Sequence, residues 1–487
     1  MKPPAYDWFV KHWPDSAQVQ LLDSDAVFAF KRKVEQQAEE VGRDDIETLV
    51  GHCLYRALYE ADRFGATTTI LDAITAPTLK TQLLTQVHQQ GHAVAGATGA
   101  FPALGISAFW APWAWKHDRD HFERFCNFAA TNQINYVRWF GAHDWPGGIK
   151  PNAAHYADTV ALTIEALAEF GLRSQITLAT RRHMIGDVFD FGKLWGEIVT
   201  HHRDAVILVE MVNEWNHADN GWSDDDVRRL ADGFAFSTTD SHVPFALSGA
   251  AGATWADKLA DTDRLYDGRR FMLRSPVRTA HFPRADKSEG PWRFVRQPWH
   301  AKNWLFCVNN EPKRWDKCSD GSRGGRSVEV AAASPIVAWI CNCGMSCHHD
   351  APGVLPSAGH YDEHSEILGH VWNRVLPELP GNLANWQPTR VGPAWNGPPH
   401  PFPSLEHQQW TDTGNDSGRG VSRSFAAVAD RGRYVMALIG VRDSVTLEEH
   451  QDHAYQVYSL RHGEQVYAGQ GPNVTLRGSE AFVVVST

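Results

Sequence analysis

Eight short apolar segments recur along the middle of the chain and limit its possible folds more than any other feature. They are spaced by about 30–40 residues, with amphipathic helical stretches such as 157–170 and 224–236 between them. Strands that alternate with helices form a parallel sheet, and eight such units close into a (β/α)8 TIM barrel. No glycine-rich dinucleotide loop follows the first segment, which disfavours an open doubly wound sheet. The predicted strands are Gly105–Trp110, Asn135–Phe140, Ser174–Thr180, Ala205–Val212, Val243–Leu247, Val277–Phe282, Asn303–Val308 and Pro335–Cys341.

The segments on either side of this barrel have different patterns. Residues 1–100 carry apolar residues at steps of three and four, which predicts a helical N-terminal region. After the predicted barrel, residues 101–380, the segment 381–487 begins with a linker rich in proline and glycine. Alternating strands then predict a small C-terminal antiparallel β-sandwich. Its predicted strands are Ser424–Val428, Tyr434–Val441, Ala454–Leu460, Gln465–Tyr467, Asn473–Leu476 and Ala481–Val485.

The composition excludes several classes of function. A net charge of −11 without a basic tract argues against a nucleic-acid partner. No stretch reaches the ~20 uncharged apolar residues of a membrane span, and the N-terminus lacks the apolar core of a secretory signal. The expected location is therefore the cytoplasm or a virion or similar particle, without a membrane partner. In the second case, residues 1–100 are candidates for docking to a protein partner.

Polar residues follow the apolar segments at the edge where a barrel of this kind carries its active site. Asn213 and Glu214 end the fourth segment, and Asn310 and Glu311 end the seventh. Two carboxyl groups facing each other across a barrel mouth are the minimum equipment for cleaving a glycosidic bond. They lie about 5–5.5 Å apart in retaining enzymes and about 6.5–9.5 Å apart in inverting ones. Other residues expected at the mouth are Trp110, Arg138, His183, Trp215, His281 and Trp339.

Two motifs carry a resemblance to a known family. The sequence Glu210-Met-Val-Asn-Glu-Trp-Asn216 resembles the fourth-strand motif of the clan A glycoside hydrolases, and Val308-Asn-Asn-Glu-Pro312 resembles their seventh-strand motif. The resemblance covers residues 101–380. It implies a retaining enzyme that hydrolyses β-glycosidic bonds of a poly- or oligosaccharide without a metal or cofactor.

The same resemblance implies roles for individual residues. Glu214 corresponds to the acid/base, Glu311 to the nucleophile, and Asn213 to the residue that binds the sugar 2-hydroxyl group. Arg138 corresponds to the second-strand arginine that keeps the nucleophile ionised, which agrees with the low pKa expected of a carboxyl group beside a guanidinium. Next to Trp215, the pKa of Glu214 is expected to rise by desolvation, so that this residue keeps its proton.

The resemblance also predicts substrate contacts and shows two departures. His281 corresponds to a sixth-strand histidine, and Trp339 to the eighth-strand aromatic platform. Trp215 stands where a proline often follows the acid/base. Phe282 stands where many relatives have a tyrosine near the nucleophile, which leaves His281 or His183 as substitutes for that tyrosine.

Other interpretations remain open from the sequence alone. Glu210 is expected to be a structural acid inside the barrel, paired with an arginine or a lysine. The cysteines at 341, 343 and 347 lack the spacing of a zinc site and are interpreted as buried thiols. The two alternatives are a barrel that binds a carbohydrate with little turnover and a particle-associated glycan depolymerase docked through residues 1–100.

Overall fold

A computed structural model gives the architecture of ten stretches of the chain, all within one compact unit, Gln82–Thr487. The predicted helices before residue 84 lie outside the described residues. The described residues are 84–238, 243–249, 277–282, 305–310, 328–389, 397–406, 421–441, 443–448, 454–470 and 473–487.

The first described element is an antiparallel sheet, which corrects the prediction that the helical region extends to residue 100. Gly91 and Gly99 have φ values of 63° and 108°, a backbone region that glycine adopts without a steric cost, and they turn the chain twice. Val94 packs in one core with residues from the N-terminal ends of the barrel strands, so this sheet covers the bottom of the barrel. Its strands are β1 (His88–Gln90), β2 (Ala93–Gly96) and β3 (Gly99–Phe101).

Eight parallel strands form the central sheet, as predicted. They are β4 (Ala103–Ser107), β5 (Tyr136–Phe140), β6 (Arg173–Ala179), β7 (Val206–Asn213), β8 (Phe245–Gly249), β9 (Val277–Phe282), β10 (Leu305–Asn310) and β11 (Met345–His348). Their order is β8-β7-β6-β5-β4-β11-β10-β9, and β8 and β9 lie against each other, so the sheet is a nearly closed barrel. Every residue of β7 is buried, as expected of a strand with side chains both inside the barrel and under helices.

The eighth strand was predicted in the wrong place. The apolar segment that contains Pro335–Cys341 forms a helix, Val328–Ile340, and the strand follows it at Met345–His348. The helix packs on the barrel and on the C-terminal sheet, so it is apolar on all sides. Without a polar face, its sequence has no helical periodicity to distinguish it from a buried strand.

Helices lie around the barrel and connect its strands. Within the described residues, every helix is too short or too polar to span a bilayer. The α-helices in the described stretches are α1 (Ala111–His117), α2 (Arg119–Thr131), α3 (Tyr156–Glu169), α4 (Val188–His201), α5 (Asp224–Ser237), α6 (Val328–Ile340), α7 (Ala351–Val354), α8 (Tyr361–Val375) and α9 (Pro403–Glu406).

The C-terminal region consists of antiparallel sheets, as predicted. Its strands are β12 (Gln387–Pro388), β13 (Val421–Val428), β14 (Tyr434–Val441), β15 (Ser444–Leu447), β16 (Tyr455–Ser459), β17 (Glu464–Gly469), β18 (Val474–Arg477) and β19 (Ala481–Ser486). Six form one sheet in the order β12-β13-β14-β19-β16-β17, and β15 pairs with β18. Along β14, Met436 and Leu438 share a core with residues of the two-stranded β15–β18 sheet, whereas Ala437 and Ile439 belong to the barrel core. Strand β14 is therefore buried on both faces, whereas the edge strand β17 is largely exposed.

Candidate active site

The fourth barrel strand ends in an unusual backbone conformation at Glu214. This residue follows β7 directly and has a φ of 42°, which a non-glycine residue rarely adopts. The Asn220 side chain holds the turn, because its Nδ2 donates to the carbonyl oxygens of Asn213, at 3.0 Å, and of Glu214, at 3.1 Å. Such strained residues occur often at active sites. The turn held by Asn220 thus places the half-buried Glu214 at the barrel mouth.

Arg138 lies in β5 beside this turn and is almost completely buried. Its Nη2 donates to Asn213 Oδ1 at 3.0 Å and to Glu210 Oε2 at 3.1 Å. The guanidinium carbon lies 5.3 Å from the centre of the Phe109 ring and 5.1 Å from that of Phe140, within the range of cation–π attraction. These contacts fix the guanidinium in one orientation.

Glu210 is fully buried inside the barrel, as expected of a structural acid paired with an arginine. Besides the bond from Arg138, its Oε2 accepts from Thr177 Oγ1 at 2.8 Å, and its Oε1 accepts from Thr279 Oγ1 at 2.7 Å. The donors come from β5, β6 and β9. The two threonines were not predicted from the sequence, because nothing local marks a threonine in a strand as the partner of an acid far away in the chain.

An aromatic wall stands over the ends of β4 and β5. Phe109 stacks on Phe140, with 3.9 Å between ring centroids, and the half-exposed Trp145 packs against both rings. His143 completes this wall, and its Nε2 hydrogen-bonds with the carbonyl oxygen of Phe109 at 3.0 Å. Burial lowers the pKa of His143 to about 4, so the ring is neutral near pH 7. Trp145 is the exposed part of the wall and offers a face to a sugar ring.

The first and eighth strands contribute a second polar group at the mouth. Ser107 Oγ, at the end of β4, lies 2.6 Å from His349 Nδ1 and 3.3 Å from the Tyr361 hydroxyl. His349 follows β11 and stacks on Phe109, with 4.9 Å between ring centroids. This histidine was missed because the eighth strand had been predicted too early in the chain.

Three predicted tryptophans are buried, which corrects their assignment as substrate contacts. Trp110 and Trp339 are each 1% exposed, and Trp215 is 3% exposed. Trp110 lies beneath the mouth and donates from Nε1 to the carbonyl oxygen of Pro352 at 2.6 Å. Trp339 lies within α6 rather than at a strand end. None of the three offers a ring face to a sugar in this structure.

The remaining predicted residues divide between the rim and the undescribed part of the chain. His183 is exposed at the rim, where its Nε2 lies 3.5 Å from Asp144 Oδ2. Asn310 ends β10, and His281 lies in β9, in register with Asn309. The predicted nucleophile, Glu311, lies outside the described residues. The strand before it, β10, ends at Asn310, at the same edge of the parallel sheet as the end of β7.

Two further predictions concern metals and cysteines. Within the part of the chain that the structure describes, no group of three or more histidine, cysteine or acidic side chains has metal-binding geometry. Cys341, Cys343 and Cys347 are all buried free thiols. This agrees with their interpretation as packing residues.

Comparison with known proteins gives structural relatives but no sequence relatives. No protein-family model and no curated protein sequence matches the chain. A glycoside hydrolase family 5 structure from Bacteroides vulgatus aligns with a TM-score of 0.56 at 11% identity, covering 84% of this chain and 94% of that one. A putative glycoside hydrolase from the same species aligns at 0.54 and 10% identity, covering 84% and 83%. A third structure, titled glycoside hydrolase, aligns at 0.51 and 10%, covering 82% and 96%. At these identities the likeness establishes a shared fold.

Proposed function

We propose that this protein is a glycoside hydrolase that cleaves β-glycosidic bonds of a poly- or oligosaccharide with retention of configuration. The observation that carries the proposal is the end of β7, where Glu214 is held at a φ of 42° beside Asn213. A buried strand that ends in a braced, strained acid at the barrel mouth is an arrangement suited to catalysis rather than to packing. The shared fold with glycoside hydrolase structures supports it.

In the proposed first step, the Glu311 carboxylate attacks the anomeric carbon and the bond from that carbon to the leaving oxygen breaks. Glu214 gives its proton to that oxygen, so the alcohol leaves neutral. In the second step, Glu214 takes a proton from water, whose oxygen attacks the anomeric carbon. The bond to Glu311 then breaks, and both carboxyl groups return to their starting states. Two inversions at one carbon give net retention.

Asn213 has a specific place in this mechanism. Its Oδ1 accepts from Arg138, and among the described residues its Nδ2 has no protein partner. An amide nitrogen is a donor only, so it suits a sugar hydroxyl oxygen. We propose that it binds the 2-hydroxyl group, where a hydrogen bond that strengthens in the transition state contributes several kcal/mol.

Kinetics and product analysis test the proposal. A glycan library identifies a substrate, and NMR of the first product tells whether the anomeric configuration is retained. Glu214→Gln and Glu311→Gln should each lower kcat by orders of magnitude, whereas Glu165→Gln, in α3 and away from the strand ends, should not. Azide should restore turnover of Glu214→Ala on a substrate with a good leaving group and yield the β-glycosyl azide. Full activity of either glutamine variant, or an inverted product, would contradict the mechanism.

A further inference from the structure

The buried Glu210 and the mouth residue Asn213 are connected through a single amino group of Arg138. Arg138 Nη2 carries two hydrogens, and it lies 3.1 Å from Glu210 Oε2 and 3.0 Å from Asn213 Oδ1. One hydrogen is therefore directed to each acceptor. The guanidinium orientation that donates a hydrogen bond to Glu210 therefore also donates one to Asn213.

This geometry determines which way the Asn213 amide faces. A guanidinium has no acceptor, so the atom of Asn213 that faces Arg138 must be the amide oxygen. The Nδ2 group of Asn213 then points away from Arg138. If the amide turned over, two donors would face each other and the buried Arg138 hydrogen would have no acceptor there, which is costly in a low-dielectric interior.

Glu210 holds Arg138 in place but is itself sealed from the mouth. Its side chain is 0% exposed, and hydroxyl groups from Thr177 and Thr279 occupy its two oxygens, at 2.8 and 2.7 Å. Thr177 lies in β6, which pairs with β7, and Thr279 lies in β9, which lies against β8 on the other side of β7. Two of the neighbours that fix the carboxylate are therefore buried hydroxyl groups inside the barrel.

We propose that Glu210 is a positioning residue of the active site, which acts through Arg138 to hold the Asn213 amide with its Nδ2 directed to the sugar 2-hydroxyl group. This proposal depends on the proposed hydrolase function and adds a role to an acid that otherwise only fills the barrel. The negative charge is the essential property, because hydrogen bonds between ionised partners are about twice as strong as neutral ones.

The variant that isolates this charge is Glu210→Gln. The glutamine oxygen can still accept from Arg138 and Thr177, while its amide nitrogen can donate to Thr279 Oγ1, since a hydroxyl group accepts as well as donates. Packing is thus preserved and only the charge is removed. The matched control is Glu329→Gln, at a second buried glutamate that accepts from Ser479 Oγ at 2.7 Å and lies 3.3 Å from Arg461 Nε, between α6 and the C-terminal sheet.

The experiment is a double-mutant cycle with Asn213→Ala, assayed on the substrate from the glycan library and on its 2-deoxy analogue. Glu210→Gln should lower kcat/KM on the order of ten-fold on the 2-hydroxy substrate. The reduction should be smaller on the 2-deoxy analogue. It should be absent in the Asn213→Ala background, because Arg138 then has no Asn213 amide to orient. Glu329→Gln should alter the unfolding midpoint but not kcat/KM. Equal factors of Glu210→Gln in both backgrounds, or equal factors on both substrates, would overturn the proposal.

A crystal structure of Glu210→Gln gives a readout that needs no substrate. The proposal expects an unchanged β7 backbone with the Asn213 amide rotated or in two conformations. Arg138 and Asn213 in their original positions would contradict it. The hydrolase mechanism fails separately, whatever the cycle at Glu210 shows: it is contradicted if Glu214→Gln or Glu311→Gln stays fully active, or if the product is inverted.

Discussion

The left-handed backbone at Glu214 predicts that the proposed acid/base is held at a cost in stability. Its φ is 42°, and for a residue with a Cβ atom this region costs about 1–2 kcal/mol. Glycine has no such penalty, but it loses about 0.5–1 kcal/mol more than alanine through backbone entropy. From this difference we expect the free energy of unfolding of Glu214→Gly to be on the order of 1 kcal/mol higher than that of Glu214→Ala.

The comparison between glycine and alanine isolates the backbone term. Both variants lack the carboxyl group, so neither should be active, and both lose the same contacts beyond Cβ. The assay is denaturant unfolding under identical conditions, with equal m-values required before the midpoints are compared. The more stable of the two proteins should therefore carry glycine, although both have lost the proposed function.

A control position three residues away should give the opposite order. His217 has a φ of −75° and is exposed, so glycine there gains nothing from its conformational freedom. His217→Ala should be more stable than His217→Gly, by about 0.5–1 kcal/mol. If Glu214→Ala is as stable as Glu214→Gly or more stable, while the variants of His217 behave as expected, backbone strain at Glu214 is refuted.

Two further predictions concern the turn after β7 and the response to acid. Asn220→Ala removes the hydrogen bonds to the carbonyl oxygens of Asn213 and Glu214, and should lower the free energy of unfolding by about 2 kcal/mol and also lower kcat; an unchanged denaturant midpoint would contradict this. Burial lowers the pKa of His348 from 6.5 to about 4. As the pH falls, the unfolded chain therefore binds a proton at this histidine before the folded chain does. The stability that is present above pH 6.5 is thus progressively lost towards pH 4. His348→Phe should make unfolding midpoints less dependent on pH across that window, and parallel profiles for the variant and the parent would show that His348 contributes nothing.

The sequence alone contained the barrel and its proposed acid/base. Seven of the eight strands were predicted within a few residues of their observed bounds, because a parallel strand buried on both faces is a short apolar run whose limits are visible locally. The position of Glu214 followed from the same rule, since the polar residues that follow such a run lie at the mouth. The pairing of Glu210 with an arginine or a lysine followed from the cost of burying an acid alone.

The tertiary structure decided what depends on partners distant in the chain. The segment Val328–Ile340 is a helix because it fills the space between the barrel and the C-terminal sheet, and an element apolar on all sides carries no period that reveals its type. That arrangement buried Trp339 and brought His349 to the mouth instead. The orientation of Asn213 likewise follows from Arg138, which lies 75 residues away in sequence but 3.0 Å away in the fold. Local pattern thus located Asn213 and Glu214 at the end of their strand, whereas the donors that orient Asn213 become neighbours only when the barrel closes.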